Sequence, residues 1–336
     1  MRQRKGCRAA ALMLLISLLL LPSCSRREAA HSRSFVLMDT VVTVTLYTDS
    51  ESLAEECLTL ARTHLEELDR LWSRHIEGSD IAKLNASENG LSQGLDSRTL
   101  VLLKQAQEIS AATGGCFDFT LAPLSDLWQE CANTNRLPTS EELSRRLTLT
   151  GAMRCLITSS AVEKPTGMQI DLGGIGKGAA VSSLISLLSE KPLTGGLISF
   201  GSNVAMFGAK PDGSPFRAAL RDPLHTDSTV GTLTLPAGSV LSVSGDYERF
   251  VTIQGSNYHH ILDPQTGCPS QSGLSSVAVI CSNGALADAL STALLVMGRD
   301  AAMELYASGA YSFEAILISS SGECTVTSPS ANFTPN

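Results

Sequence analysis

The chain has 336 residues, of which 43% are hydrophobic, 17% charged and 5% aromatic, the make-up of a globular protein rather than a disordered or collagen-like one. The 33 acidic residues outnumber the 25 basic ones, the formal charge is −8, and no Lys/Arg block lies beyond the first eight residues. A nucleic-acid partner is therefore not expected.

At the start of the chain Arg2, Arg4, Lys5 and Arg8 precede an apolar run from Ala9 to Leu21. That run is too short for a comfortable membrane span and suits the hydrophobic stretch of an export signal. It ends in Leu21-Pro22-Ser23-Cys24, which resembles a bacterial lipobox and marks Cys24 as the lipid-bearing residue once residues 1–23 are removed. The expectation is a protein anchored by lipid to the extracytoplasmic face of the cell membrane. Residues 24–34 read as a polar tether, 35–325 as one domain and 326–336 as a tail. Beyond Cys7 and Cys24, seven cysteines remain and cannot all pair, and no C-x-x-C or Cys/His cluster points to zinc, iron–sulfur or thioredoxin-type chemistry.

Branched residues alternate over Val41–Tyr47, predicting a strand, and Leu53, Cys57, Leu60, Ala61, His64, Leu65 and Leu68 then fall at helical spacing. A second helix is predicted over 97–113, stopped by Gly114-Gly115, and a third over 141–150. Met168 to Leu172 reads as a strand entering a glycine-rich turn, and a helix continues through Leu184–Leu188. Branched runs at 197–200, 239–243, 250–253 and 274–280 alternate with turn residues, indicating antiparallel or mixed sheet. Helices and strands do not alternate as in a doubly wound fold, so the fold class is α+β, with helices packed on the sheets.

Four segments can carry chemistry. Asp171-Leu-Gly173-Gly174-Ile-Gly176-Lys177-Gly178 places bare backbone between a strand and a helix, where a phosphate or metal can approach closely. It has neither the Rossmann nor the Walker spacing. Ala285-Leu-Ala-Asp288-Ala-Leu-Ser-Thr292 puts a carboxylate and a hydroxyl one helical turn apart on one face, a sparse oxygen pair of the kind Mg²⁺ accepts. Tyr258-His259-His260 is a strand with imidazoles on opposite faces, leading into Asp263-Pro-Gln-Thr-Gly267, and favours His260 as an acid/base or phosphate contact over a metal ligand. Gly114–Leu124, with Cys116, Phe117 and Asp118, is a loop suited to holding a flat heterocycle or a ribose.

Together with Ser244-Gly-Asp-Tyr247, these segments occur in the order and spacing of the ApbE family of FAD:protein FMN transferases, and the chain resembles that family over about residues 35–320. The resemblance implies an ApbE-like, T-fold-related α+β fold and one FAD as substrate. It also implies Mg²⁺ at the diphosphate, and transfer of FMN to a Thr or Ser hydroxyl of an acceptor protein with release of AMP. By resemblance, Met38, His75, Cys116, Phe117, Asp118, Asp171, Lys177, Ser244 and His260 contact FAD. The carbonyl of Gly174, the side chains of Asp288 and Thr292 and the carbonyl of Ala285 ligate Mg²⁺, and His260 and Asp288 serve the reaction. The acceptor implied is an exported or membrane redox protein. The sequence departs from the family pattern at Asp39, where Gly is usual, at His75, where Tyr is common, and at Ala179 and Ser182, where Tyr and Asp are usual. His75 keeps an alternative open, a FAD pyrophosphatase releasing free FMN and AMP from the same site, because water needs less positioning than a protein nucleophile. A non-catalytic flavin- or solute-binding lipoprotein is the third reading.

Overall fold

The protein was analysed as a computed structural model that describes residues 29–87, 90–328 and 332–336. The export segment and Cys24 lie outside the described residues. In chain order the elements are β1 (Ala29–Leu37), β2 (Thr40–Thr48), α1 (Glu51–Trp72), α2 (Asp80–Ala86), β3 (Leu91–Gln93), α3 (Ser97–Ala112), α4 (Ala122–Asn133), α5 (Ser140–Leu147), β4 (Leu156–Ile157), β5 (Ala161–Glu163) and α6 (Gly176–Ser189). The second half contains β6 (Gly195–Phe200), β7 (Asn203–Gly208), β8 (Phe216–Arg221), β9 (Thr229–Leu235), β10 (Val240–Gly245), β11 (Phe250–Ile253), β12 (Ser256–His259), β13 (Leu274–Cys281), α7 (Gly284–Met297), α8 (Arg299–Ala307), β14 (Glu314–Ser319), β15 (Cys324–Val326) and β16 (Phe333–Pro335).

Eight strands in the order β1-β2-β6-β7-β10-β13-β14-β15 form one sheet, antiparallel at every pairing. Strand side chains alternate between faces, and here both faces are covered. Ala205, Val240, Val277, Val279, Ala315 and Leu317 join the core beneath α1, α6 and α7. Their neighbours Met206, Leu241, Ala278, Ile280, Ile316 and Ile318 join a second core with Phe216, Leu220, Leu233 and Leu235 of the small β16-β9-β8 sheet. This is why β13 is apolar without interruption from Val277 to Ile280 and buried along its whole length. Sandwiched strands need no polar alternate. The fold is α+β, as the sequence pattern predicts.

Three boundaries differ from the sequence reading. Residues 29–34, expected in the tether, are strand: β1 pairs with β2 from Ala29↔Thr48 to Leu37↔Thr40. Its polar face is matched by hydroxyl pairs, Ser32 Oγ to Thr45 Oγ1 at 3.0 Å and Ser34 Oγ to Thr43 Oγ1 at 2.8 Å, so it needs no apolar pattern to settle at the sheet edge. The expected tail at 326–336 is partly sheet as well, since Val326 closes β15 and residues 333–335 pair with β9. Met168–Leu172 is not a strand. Asn85 takes both backbone groups of Ile170 (2.7 and 2.8 Å) and the Asp171 N–H goes to the Phe119 carbonyl at 2.8 Å, leaving a single bridge at Gln169.

Candidate active site

The site is organised by a close crossing of α6 and α7. A Cβ at Gly178 would lie 2.0 Å from the Gly284 carbonyl and 2.6 Å from Asp288 Cβ, and one at Gly284 would lie 2.2 Å from the Gly178 carbonyl. Only glycine permits this approach, and the approach delivers the Gly178 N–H to Asp288 Oδ2 at 2.9 Å. Asp288 is buried, and its other oxygen, Oδ1, accepts from Asn203 Nδ2 at 3.2 Å and Ser242 Oγ at 3.3 Å. Donors from α6, β7 and β10 therefore converge on one carboxylate. One turn further along α7, Thr292 Oγ1 lies 3.2 Å from Ser244 Oγ, which is 2.8 Å from Ser291 Oγ. The Ser182 hydroxyl, standing where the family has Asp, accepts from the Gly284 N–H at 2.6 Å and so closes the start of α7.

The donor chemistry fits Mg²⁺. Asp288, Thr292 and the backbone at Gly174 offer only oxygens, the preference of a hard cation. Gly174 faces Thr292 closely enough that a Cβ there would sit 3.9 Å from Oγ1 and 3.3 Å from the Phe117 ring, so a side chain would fill the space between turn and helix. Asn203, whose Nδ2 donates to Asp288, has its Oδ1 buried without a hydrogen-bond partner, a spare acceptor next to the carboxylate. Among the described residues no group of three His, Cys, Asp or Glu is placed to hold a metal. A single carboxylate suits a cation that takes its remaining ligands from phosphate and water.

The Asp171–Lys177 turn forms the next wall. Asp171 Oδ1 accepts the Gly173 N–H at 2.7 Å, and Lys177 Nζ donates to the Gly173 carbonyl at 2.7 Å. Arg74, mostly buried, ties Asp171 (Nε to Oδ2, 3.2 Å) to Asp126 of α4. The two carboxylates raise its pKa, the hydrogen bonds it donates to Asp126 most of all. Gly201 lies against both Thr40 and the Lys177 stem, which brings the β1–β2 hairpin to the same region. Its tip, Met38-Asp39, has φ of 47° and 58°, the pair of left-handed residues that a two-residue hairpin requires. Asp39 thus adopts a left-handed conformation that glycine takes at least cost.

His260 follows β12 directly. Its Nδ1 lies 3.0 Å from the Arg249 carbonyl, which can only accept, so Nδ1 carries the proton and Nε2 keeps a free lone pair. Part of its surface reaches solvent, yet burial pushes its pKa down to about 4, helped by the positive charge of Arg249 and Lys177 and opposed by the bond to the Arg249 carbonyl. The ring is neutral at physiological pH. Glu248 is the negative group of the same wall; burial raises its pKa, against the pull of Lys177 and Arg249.

The structure thus brings together Gly174, Lys177, Ser244, Asp288, Thr292, Phe117 and, through the field at Lys177, His260. The other residues read from the sequence make contacts of their own. Asp118 spends its oxygens on protein donors, Oδ1 on the Thr120 N–H and hydroxyl of its own loop (2.7 and 2.6 Å) and Oδ2 on the Ala152 N–H at 3.2 Å. Burial raises its pKa. His75 lines a recess of about 470 Å³ with Arg74, Asn85 and Asp126, joined to the Asp171 turn through Arg74. Cys116 is half-buried and feels the charge of Asp263, and Ala285 is buried in the first turn of α7. His259 turns away, its Nε2 on the Ser270 carbonyl at 3.0 Å. Asn203, Ser242, Ser291 and Arg74 escaped the sequence reading. For Ser242 a signal existed, since Ser242-Val-Ser244 in a strand puts both hydroxyls on one face.

Fold and site define a class: an α+β protein with a buried carboxylate at a glycine-mediated helix crossing and the oxygens of Thr292 and Gly174 close by. The ApbE family profile matches residues 38–317, and the chain belongs to the ApbE family. It is 29% identical over 300 residues to the FAD:protein FMN transferase of Vibrio cholerae, covering 87% of this chain and 89% of that one. Against the FAD:protein FMN transferase of Salmonella typhimurium it is 27% identical, covering 90% and 88% of the two chains. Among solved structures, the apo flavinyl transferase ApbE of Pseudomonas stutzeri superposes with a TM-score of 0.77 at 28% identity, over 89% of this chain and 95% of that one. The ApbE protein of Thermotoga maritima gives 0.80 at 28% identity, over 89% and 97%.

Proposed function

We propose that this chain is an FAD:protein FMN transferase that moves FMN from FAD to a Thr or Ser hydroxyl of an acceptor protein and releases AMP, with Mg²⁺ held by Asp288, Thr292 and the Gly174 carbonyl. Membership of the ApbE family supports the transfer of flavin to protein. The observation that carries the metal assignment is the convergence of three elements on Asp288 beside Thr292 and Gly174.

Asp288, Thr292 and the Gly174 carbonyl would hold the cation, which would supply Lewis-acid polarisation of the diphosphate. Lys177, on the adjoining turn, offsets further negative charge. His260 Nε2, unprotonated because Nδ1 serves the Arg249 carbonyl, takes the proton of the acceptor hydroxyl. Asp288 is the poorer base, since each of its oxygens already accepts a protein hydrogen bond. The acceptor oxygen forms a bond to the FMN phosphorus, the anhydride P–O bond breaks, and its electron pair leaves with AMP.

Anchoring belongs to the same proposal. Lipid at Cys24 leaves four residues, 25–28, before β1 begins, so the edge of the main sheet would sit within about 18 Å of the membrane. The acceptor is then a membrane or exported redox protein.

Incubation with FAD, Mg²⁺ and candidate membrane acceptors, followed by gel fluorescence and mass spectrometry, tests the reading. A covalent FMN adduct on Thr or Ser, with equimolar AMP, is expected, and Asp288→Ala abolishes it while the chain stays folded. Free FMN with no adduct on any acceptor would replace the transferase by a pyrophosphatase, and full activity in Asp288→Ala would overturn the metal assignment.

A further inference from the structure

We infer that Ser291, a buried residue that makes no contact with a ligand, is a positioning residue that sets the orientation of the Thr292 hydroxyl through Ser244, so that the Thr292 lone pairs face the cation. The inference rests on the proposed metal site and concerns how this chain's own hydroxyls are wired.

The argument is a count of hydrogens. Each hydroxyl has one proton to give and two lone pairs with which to accept. Ser291 is fully buried, and its Oγ lies 2.8 Å from the Asp288 backbone carbonyl, which can only accept. Its one hydrogen is committed there. Ser244 Oγ is 2.8 Å from Ser291 Oγ; with no hydrogen left on Ser291, Ser244 must be the donor. Ser244 Oγ is also 3.2 Å from Thr292 Oγ1, and with the Ser244 hydrogen spent, Thr292 is the donor in that pair. The Thr292 proton then points at Ser244, and its lone pairs point away from the hydroxyl chain, toward the side where Gly174 stands close. At the other end, Ser242 Oγ gives its one hydrogen to Asp288 Oδ1 at 3.3 Å, so its 3.3 Å approach to Ser291 Oγ carries no hydrogen and leaves the direction of the chain unchanged. The carbonyl of Asp288 therefore fixes the direction of a chain that ends on the second metal-binding side chain, while the Asp288 carboxylate is held from the side by Ser242, Asn203 and Gly178. Both protein side-chain ligands are preset by hydrogen bonds from α6, α7, β7 and β10, which lowers the cost of ordering them when the cation arrives.

The reasoning predicts what removal does. In Ser291→Ala, Ser244 loses its acceptor and turns its hydrogen onto Thr292, which occupies a lone pair that the cation needs. The test is cation affinity measured directly, by Mn²⁺ electron paramagnetic resonance and Mg²⁺ calorimetry on the full exported domain in the presence of FAD, for wild type, Ser291→Ala, Thr292→Ala and the double variant. Ser291→Ala should weaken cation binding about two- to tenfold, the worth of one net hydrogen bond, and add nothing in the Thr292→Ala background. A structural role alone would give equal losses in both backgrounds, and that result overturns the inference. Unchanged affinity in Ser291→Ala would overturn it too. If Ser291→Ala fails to fold, Ser291→Cys replaces it: its weak S–H donor should bring an intermediate loss that is again absent without Thr292, and the same additivity criterion decides. Wild-type protein that binds neither cation contradicts the metal assignment itself and is told apart from these outcomes at the first titration.

Discussion

Asp288 and Asp118 are both carboxylates that sequence resemblance places at the nucleotide, and the fold treats them in opposite ways. Asp118 is held by neighbours in its own loop and by Ala152; every oxygen serves to fold residues 118–152 onto one another. Asp288 is held by groups 110, 85 and 46 positions away in sequence, with a surplus buried acceptor, Asn203 Oδ1, left beside it. A carboxylate satisfied by its own turn and by one further loop fastens those two segments together. One assembled from three remote elements, next to an unmatched acceptor, is preset for something the chain itself does not supply.

Substitutions can break or sharpen this contrast. The largest effect is expected for Gly178→Ala, because the new Cβ would meet the Gly284 carbonyl and Asp288. Overpacking there should cost about 1–3 kcal/mol of stability and, by displacing the N–H that holds Oδ2, remove cation binding; a thermal melt and a Mg²⁺ titration read the two losses. Asp118→Ala should cost stability, about 1–3 kcal/mol from the donors left unmatched, while the folded fraction binds Mg²⁺ as wild type does. Loss of cation affinity in that variant would erase the distinction drawn between the two residues.

The smallest effect is one of pH. Burial and neighbouring positive charge lower the His260 pKa to about 4, against ~6.5 for an unfolded imidazole. The unfolded chain therefore binds the proton more readily, and stability is lost as pH falls from about 6.5 to about 4 and not above that window. As the base, His260 remains available throughout it, so the acid limb of kcat/KM for FAD should have its midpoint near 4. A midpoint near 6.5 that disappears in His260→Gln would show that the ring is not desolvated in the free enzyme.

Much of this was legible in the sequence where spacing alone does the work. Asp288 and Thr292 fall one turn apart in any helix, the glycines after Asp171 announce close backbone approach, and branched runs give the strands β6, β10, β11 and β13. Asn203, Ser291 and Arg74 were not legible, because their roles exist only once β7, α7 and α4 are brought together. Strand β1 was hidden for a different reason. Ala-Ala-His-Ser-Arg-Ser has no apolar alternation, and its register is fixed by hydroxyls on β2 and by the ion pair of Arg33 with Glu55 of α1. The Met168–Leu172 run misled because one side chain, Asn85, supplies the hydrogen bonds that a neighbouring strand would otherwise have supplied.

The most direct test of the central claim is anomalous diffraction from crystals grown with FAD and Mn²⁺ in place of Mg²⁺. The account predicts a peak within about 2.5 Å of Asp288 and Thr292 oxygens, with the diphosphate on its open side facing Lys177 and His260. A diphosphate bound elsewhere, or a cation peak away from both side chains, would contradict it.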